Sequence, residues 1–434
     1  MVLLILLTSI ALFLVTRSFR DTLSRRVFLS FVLLWTVVLL LSCANPYDLK
    51  PVSDKVYLLM LVYMISFVGG ASINKNKPIS PQQEQNLSFG DSVNKIVNSK
   101  WFILVYLALL YGAFFLFRKQ QVIILSYNLG YLREGFYQLM FEGQPLLAAL
   151  YNYVLAPFFY IIIALECYML LYNRKWGKIV LFFPYIIVYG VLAGGRIRFM
   201  AVIIFLAFML LMGPVLGFDK KYEKKSLKYV LIVVAVFVGI ISVMSMFRAG
   251  ESELSSDGLT VGLNRFSEQI VVYSVGSLRA FDQAIQNDFV SRIGGFQLGQ
   301  ATFCGVEKFL EPLLRHGLGI TIDSGYDRTV GFLQEEVLDI GAHHYEEFNF
   351  AYTSAFIHYL DFGVLGVFLF PFIFGFITRQ MFIRLQLRVT GGRVVINAIV
   401  FYTIIYSVFT FFLVNGYAIE VILLMWLYDK FLAK

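Results

Sequence analysis

The sequence predicts an all-α, polytopic integral membrane protein with about eleven transmembrane helices and one large extracytoplasmic loop containing short helices. Three observations carry this. Of 434 residues, 59% are apolar and only 15% charged, with a mean hydropathy of +0.74. A soluble domain is nearer half apolar and a quarter charged. Apolar runs long enough for a bilayer core of about 20 helical residues recur along the chain. Basic residues gather between alternate runs, as the positive-inside rule requires.

The runs, taken in order, are 2–16, 27–44, 56–73, 101–117, 150–172, 178–193, 197–217, 228–247, 354–378, 394–413 and 416–432. The first is short, but basic residues follow it and no A-x-A cleavage site appears, so it reads as a helix and not a signal peptide. Eleven spans, within a range of ten to twelve, put every basic cluster on one side. These are Arg17–Arg26, Lys75–Lys100, Arg174–Lys178, Lys220–Lys228, Arg379–Arg393 and Lys430 with Lys434. The expected N-terminus is therefore outside and the C-terminus cytoplasmic. The net charge of +8 is a topological signal of this kind, and no nucleic-acid partner is expected.

Three regions follow: a first bundle of about eight spans at 1–247, an outer loop domain at 248–353, and a C-terminal bundle of about three spans at 354–434. The loop is acidic, with Glu251, Glu253, Asp257, Glu268, Asp282 and Asp288 among its carboxylates. A loop of that length in a compact protein is uncommon without a function. No internal repeat is visible. There is no Walker A sequence and no nucleotide-sugar-binding Rossmann pattern. Cys43, Cys167 and Cys304 have no CxxC partner, so no metal or cofactor is expected.

Against the acidic loop the outward arginines stand out. Arg196 and Arg198 follow Gly194-Gly195 at the start of the 197–217 span. A helix N-terminus with two guanidinium groups suits a phosphate, although snorkelling to the interface is the plainer role. Arg248 follows its span directly. Arg265 and Arg279 bracket 265–286, where Val271, Val275, Leu278, Phe281 and Ile285 recur every three or four residues. That spacing predicts an amphipathic helix on the outer leaflet. The two arginines are about four turns apart and so share a face. Together these five could hold a diphosphate.

His343 and His344, beside Glu346 and Glu347, lack a third ligand at metal spacing and read as a surface cluster or a proton-transfer group. His358 falls early in an apolar span, where an ionisable group is costly. Asp361 lies three residues on, close enough to pair with it. Tyr326, Tyr345 and Tyr352 are tyrosines that could stack on sugar rings.

These residues combine into a pattern. Gly195-Arg196 opens a span. Arg248 is followed by Asn264-Arg265-Phe266 and Tyr273-x-x-Gly276. Asn349-Phe350-Ala351-Tyr352-Thr353 precedes Tyr359-Leu360-Asp361-Phe362-Gly363-x-x-Gly366. In this the chain resembles the oligosaccharide repeat-unit polymerases, the Wzy-type O-antigen and capsule polymerases. Their Pro-Arg…Lys-Pro loop element is absent.

The resemblance implies a GT-C-like, metal-independent glycosyltransferase of the bacterial cytoplasmic (inner) membrane. Its implied partners are undecaprenyl-diphosphate-linked oligosaccharides, membrane lipid, a chain-length regulator protein and a flippase. His343, His344, His358 and Asp361 are the implied catalytic candidates. Arg196, Arg198, Arg248, Arg265 and Arg279 would bind the diphosphate, and Asn349 and Tyr352 the sugar acceptor. An O-antigen ligase shares the architecture. A transporter would show repeated halves, broken helices and mid-bilayer charges.

Overall fold

The computed structural model describes residues 1–73, 93, 96–126, 136–173, 176–192, 197–216, 220–248, 256–320, 324–349 and 351–431. The chain is mostly helical. The main helices are α1 Val2–Arg17, α2 Thr22–Ala44, α3 Asp54–Ser72 and α4 Lys100–Ser126. There follow α5 Pro145–Tyr172, α6 Trp176–Val191, α7 Ile197–Met212, α8 Lys220–Arg248 and α9 Ser256–Gln286. The last five are α10 Gln300–Gly317, α11 Thr353–Phe362, α12 Val364–Leu387, α13 Gly391–Tyr406 and α14 Gly416–Phe431. A two-stranded antiparallel hairpin pairs β1 Leu338–Asp339 with β2 Glu347–Phe348.

Among the described residues, six helices are long and apolar enough to cross a membrane: α2, α3, α4, α5, most of α8, and α12. Shorter apolar helices lie in α1, α6, α7 and α13. The chain forms two compact units, each discontinuous in sequence. One is Met1–Ser80 with Gln269–Leu387 and Val400–Ile419; the other is Pro81–Glu268 with Arg388–Ile399 and Glu420–Lys434.

In the first unit, α3 and α12 run parallel and touch through glycine. A Cβ on Gly70 would collide with the Phe372 carbonyl oxygen, and one on Gly375 with that of Phe67. Lipid offers no hydrophobic drive between helices, so small residues that let backbones meet supply the packing. Farther along the pair, the Arg379 Nη1 donates to the Ala71 carbonyl at 2.6 Å, and its Nε lies 3.6 Å from Asp21 Oδ2. Asp21 also caps α2, accepting the Ser24 N–H at 2.9 Å.

Arg379 is therefore inside a helix that continues to Leu387, and not in the expected loop after residue 378. Hydropathy finds where the apolar run ends; a helix end carrying Arg384 runs on beyond it. The run 354–378 is also divided. Gly363 adopts φ +60 and separates α11 from α12, a conformation open to glycine and strained for other residues. Gly366 then lies against the His358 carbonyl.

The start of α11 meets the end of α13 as irregular backbone. Tyr352 and Thr353 N–H donate to the Phe409 carbonyl at 2.9 and 3.0 Å, and Ser354 N–H to that of Ser407 at 2.8 Å. Trp35, near the middle of α2, donates to Ser407 Oγ at 3.0 Å. Tyr63, near the middle of α3, stacks on His358. Broken helices thus meet level with the centres of two candidate spans. Such backbone is tolerated at that level only where protein buries and satisfies it.

The second unit repeats the parallel relation. Tyr106 donates to the Leu181 carbonyl at 2.6 Å and Gln120 to that of Val191 at 3.2 Å, so α4 and α6 run together. Tyr172 bonds the Met209 carbonyl, and Cys167 lies near that of Val202, so α5 and α7 do likewise.

Candidate functional site

Within the first unit, the turn after α2 brings two of the expected site residues close to one another. Asn45 and Asp48 both take positive φ, 47 and 49, a conformation that short polar side chains tolerate. Asn45 closes the turn on itself: its Nδ2 donates to the Leu49 carbonyl at 2.8 Å and its Oδ1 accepts the Leu49 N–H at 3.1 Å. That same Oδ1 accepts Arg279 Nη2 at 2.7 Å. Asp48 Oδ2 lies 2.7 Å from His343 Nδ1. One short turn therefore carries a guanidinium at one end and a carboxylate–imidazole pair at the other.

Arg279 is 1% exposed. It donates to Ser42 Oγ at 3.1 Å, to the Ser42 carbonyl at 3.3 Å and to the Val275 carbonyl at 2.9 Å. Its Nε has no partner. The acceptors are all neutral. Asp282, one turn on, is taken by Ser53, whose N–H and hydroxyl donate at 2.9 and 2.5 Å. Among the described residues no carboxylate pairs with the guanidinium, and a buried cation without a counter-anion is costly, which makes Arg279 the least compensated charge in this cluster.

The hairpin completes the surroundings. Leu49 bridges Gly341, Lys50 N–H donates to the Ile340 carbonyl at 2.8 Å, and Ala342 N–H to that of Asp48 at 3.0 Å. Asp339 accepts the Glu346 N–H at 3.0 Å, Lys50 Nζ at 2.9 Å and the Gly341 N–H at 3.1 Å. These bonds, the backbone one to Glu346 foremost, hold its carboxyl down at about 2. Gly276 leaves the space that Ile340 and Phe348 fill, which accounts for the Tyr273-x-x-Gly276 element. The 45–50 segment and the 338–348 hairpin lie together.

The other expected residues are placed as follows. His344 is exposed, 3.9 Å from Glu346. His358 and Asp361 share a face of α11, as their spacing predicts, but each bonds to α10 and not to the other. His358 Nδ1 meets Thr302 Oγ1 at 2.9 Å. Asp361 Oδ1 accepts the N–H of Gly299 and Ala301 at 2.8 and 2.9 Å, and Oδ2 that of Thr302 at 2.9 Å. Tyr352 is buried and stacked on Phe356. Asn349 is half-buried beyond β2.

In the second unit, Arg198 donates to the Tyr189 and Leu192 carbonyls at 2.9 and 2.6 Å and to the Tyr151 hydroxyl, with its guanidinium 4.6 Å over the Tyr189 ring. Arg265 is exposed. It shares a helix with Arg279, yet α9 passes from one unit to the other between residues 268 and 269, so the two have different surroundings. The apolar stripe of 265–286 exists, but protein covers it: Val275, Leu278 and Phe281 are buried, and Phe281 packs on Phe356 and Tyr359. It is not a lipid-facing stripe. Arg196 and the Gly194-Gly195 turn lie outside the described residues, as does the side chain of Arg248.

Sequence reasoning missed Asn45, Asp48 and the buried Glu166 of α5. Asn45-Pro46 after an apolar run was a readable turn signal; its pairing with residues some 230 to 300 positions away was not. Among the described residues, no group of three or more His, Cys, Asp or Glu is arranged for a metal ion. No family model matches the chain, and neither does any curated protein or solved structure.

Proposed function

We propose that the protein is a glycosyltransferase of the bacterial cytoplasmic membrane that polymerises undecaprenyl-diphosphate-linked oligosaccharide units at the outer face. The observation that carries this is the Asn45–Asp48 turn, which holds a buried, uncompensated guanidinium and an exposed His–Asp pair close together. Transfer of a glycan from a lipid diphosphate to a sugar hydroxyl needs both. The leaving diphosphate needs a cation. The hydroxyl needs a base, and a carboxylate on Nδ1 turns Nε2 of His343 outward in the right tautomer. Arg279 is the diphosphate grip in this reading, and His343 the base. Asp361, with three backbone donors, serves the fold.

Eleven crossings in a GT-C-like arrangement fit the helices: six long, four shorter, and Gly416–Phe431. The parallel pairs α3/α12, α4/α6 and α5/α7 each demand an odd number of crossings between partners, which this count supplies. The N-terminus is then outside and the C-terminus cytoplasmic.

A transporter is the second reading. It draws on the broken backbone at mid-span and on buried Glu166 within α5. Deletion of the gene followed by gel analysis of surface polysaccharide separates the readings. Loss of a polymerase leaves single capped units and no ladder. Loss of a ligase leaves no surface glycan and accumulates lipid-linked polymer. Loss of a flippase accumulates unpolymerised units inside.

A further inference from the structure

The amphipathicity of α10 is inverted. Between Ala301 and Glu311 the exposed positions are Phe303, Val306 and Leu310, at 57, 39 and 38%. The charged residues Glu307, Lys308 and Glu311 are half-buried and bonded: Glu307 accepts the Gly325 N–H at 2.8 Å, and Lys308 pairs with Glu311 at 2.9 Å. A helix facing water shows the reverse. Phe296 and Leu298 before it, and Leu318 and Ile320 after it, are also exposed.

This face is continuous with the flank of a candidate span. Phe303 packs edge-on against Phe370 of α12. Gln297 and Leu298 N–H donate to the Leu360 and Asp361 carbonyls at 2.9 and 3.3 Å, which seats 296–298 at the N-terminal end of α12. There Val364, Leu365, Phe368 and Leu369 are exposed, followed by Ile373 and Phe376. One apolar surface thus turns from the side of α12 onto α10. Asp361 fixes the corner by capping α10 from α11.

We propose that α10 is a membrane-interface helix, with Phe303, Val306 and Leu310 embedded in the leaflet at the N-terminal end of α12. Apolar area next to a spanning helix, with its charges turned inward, fits acyl chains and headgroup carbons. The inference rests on α12 being a span, and its test separates the two.

Single cysteines are placed at 303, 306 and 310, at Arg315 and Tyr345 as water-facing references, and at Phe368 and Ile373 as span references. The full chain is reconstituted in phosphatidylethanolamine–phosphatidylglycerol vesicles, and the parent, whose cysteines are buried or half-buried, gives the background. A water-soluble maleimide should react at 303, 306 and 310 about tenfold more slowly than at 315 and 345. A bimane at those three positions should be quenched by lipid-borne nitroxide, as at 368 and 373. Reaction at 303, 306 and 310 as fast as at 315, with 368 and 373 still quenched, overturns the proposal and leaves the span intact. Water reactivity at 368 and 373 overturns the span reading and the proposal together. Disulfide cross-linking between copies at 303, without lipid quenching, overturns it in favour of a second copy.

Discussion

The Asp361 carboxylate accepts the backbone N–H of Thr302 at 2.9 Å, across 59 positions of sequence. With Gly299 and Ala301 also donating to it, Asp361 caps α10 from a neighbouring helix. Free N–H groups at a helix start need such acceptors, and a carboxylate there also favours the helix dipole. Asp361→Asn replaces one acceptor oxygen by a donor and strands a buried N–H. Unfolding in detergent should show a loss of about 1–3 kcal/mol, and amide exchange should rise first at 299–302. Unchanged protection there, with activity lost, would return Asp361 to the chemistry.

The α3/α12 contact predicts a second outcome. Gly70→Ala and Gly375→Ala each place a methyl against a backbone carbonyl that cannot rotate away. Each should destabilise by about 1–3 kcal/mol, read as a lower Tm of the detergent-solubilised protein. Gly69→Ala is the control, since a Cβ there meets nothing.

What the sequence revealed was set by range. Apolar runs, basic clusters and the 3.6-residue stripe of α9 are local, and they were legible. What covers a stripe is not local. The α9 stripe faces protein because Phe356 and Tyr359 arrive from α11, while the lipid-like face belongs to α10, whose Glu307, Lys308 and Glu311 disguise it as a soluble helix. In the sequence the DFG-x-x-G element is only a signature. Its physical content is a cap, a positive-φ corner and a close helix contact. The 354–378 run looked continuous because Gly363 sits between apolar stretches and a single glycine does not lower hydropathy enough to mark a break.

The hairpin should be acid-sensitive. Asp339 has its carboxyl held at about 2 by the Glu346 N–H, Lys50 and the Gly341 N–H, below the ordinary 3.8. Ionised Asp339 therefore binds these groups better than the protonated form does. The stabilisation is fully present above pH 3.8 and is lost as pH falls through about 2. Proteolysis by pepsin should cut the 338–349 segment increasingly between pH 4 and 2. In Asp339→Asn the segment should be open across that range and show no such step.

The Asn45–Asp48 turn gives the most discriminating prediction, because its two ends can be cut separately. His343 is exposed and touches Asp48, so His343→Ala and Asp48→Asn should leave the unfolding free energy within about 0.5 kcal/mol of the parent. If His343 is the base, both should shorten the polysaccharide ladder. Arg279→Lys keeps the charge but removes the planar fork that reaches Ser42, Val275 and Asn45 together. It should weaken the fold by about 1–3 kcal/mol and abolish long chains. Arg279→Met removes the uncompensated charge and, where the arginine acts only in packing, should be tolerated better than Lys. A Met variant that still makes full-length chains would show that the guanidinium grips no diphosphate. A Met variant that folds but leaves only single capped units would place the leaving group at Arg279.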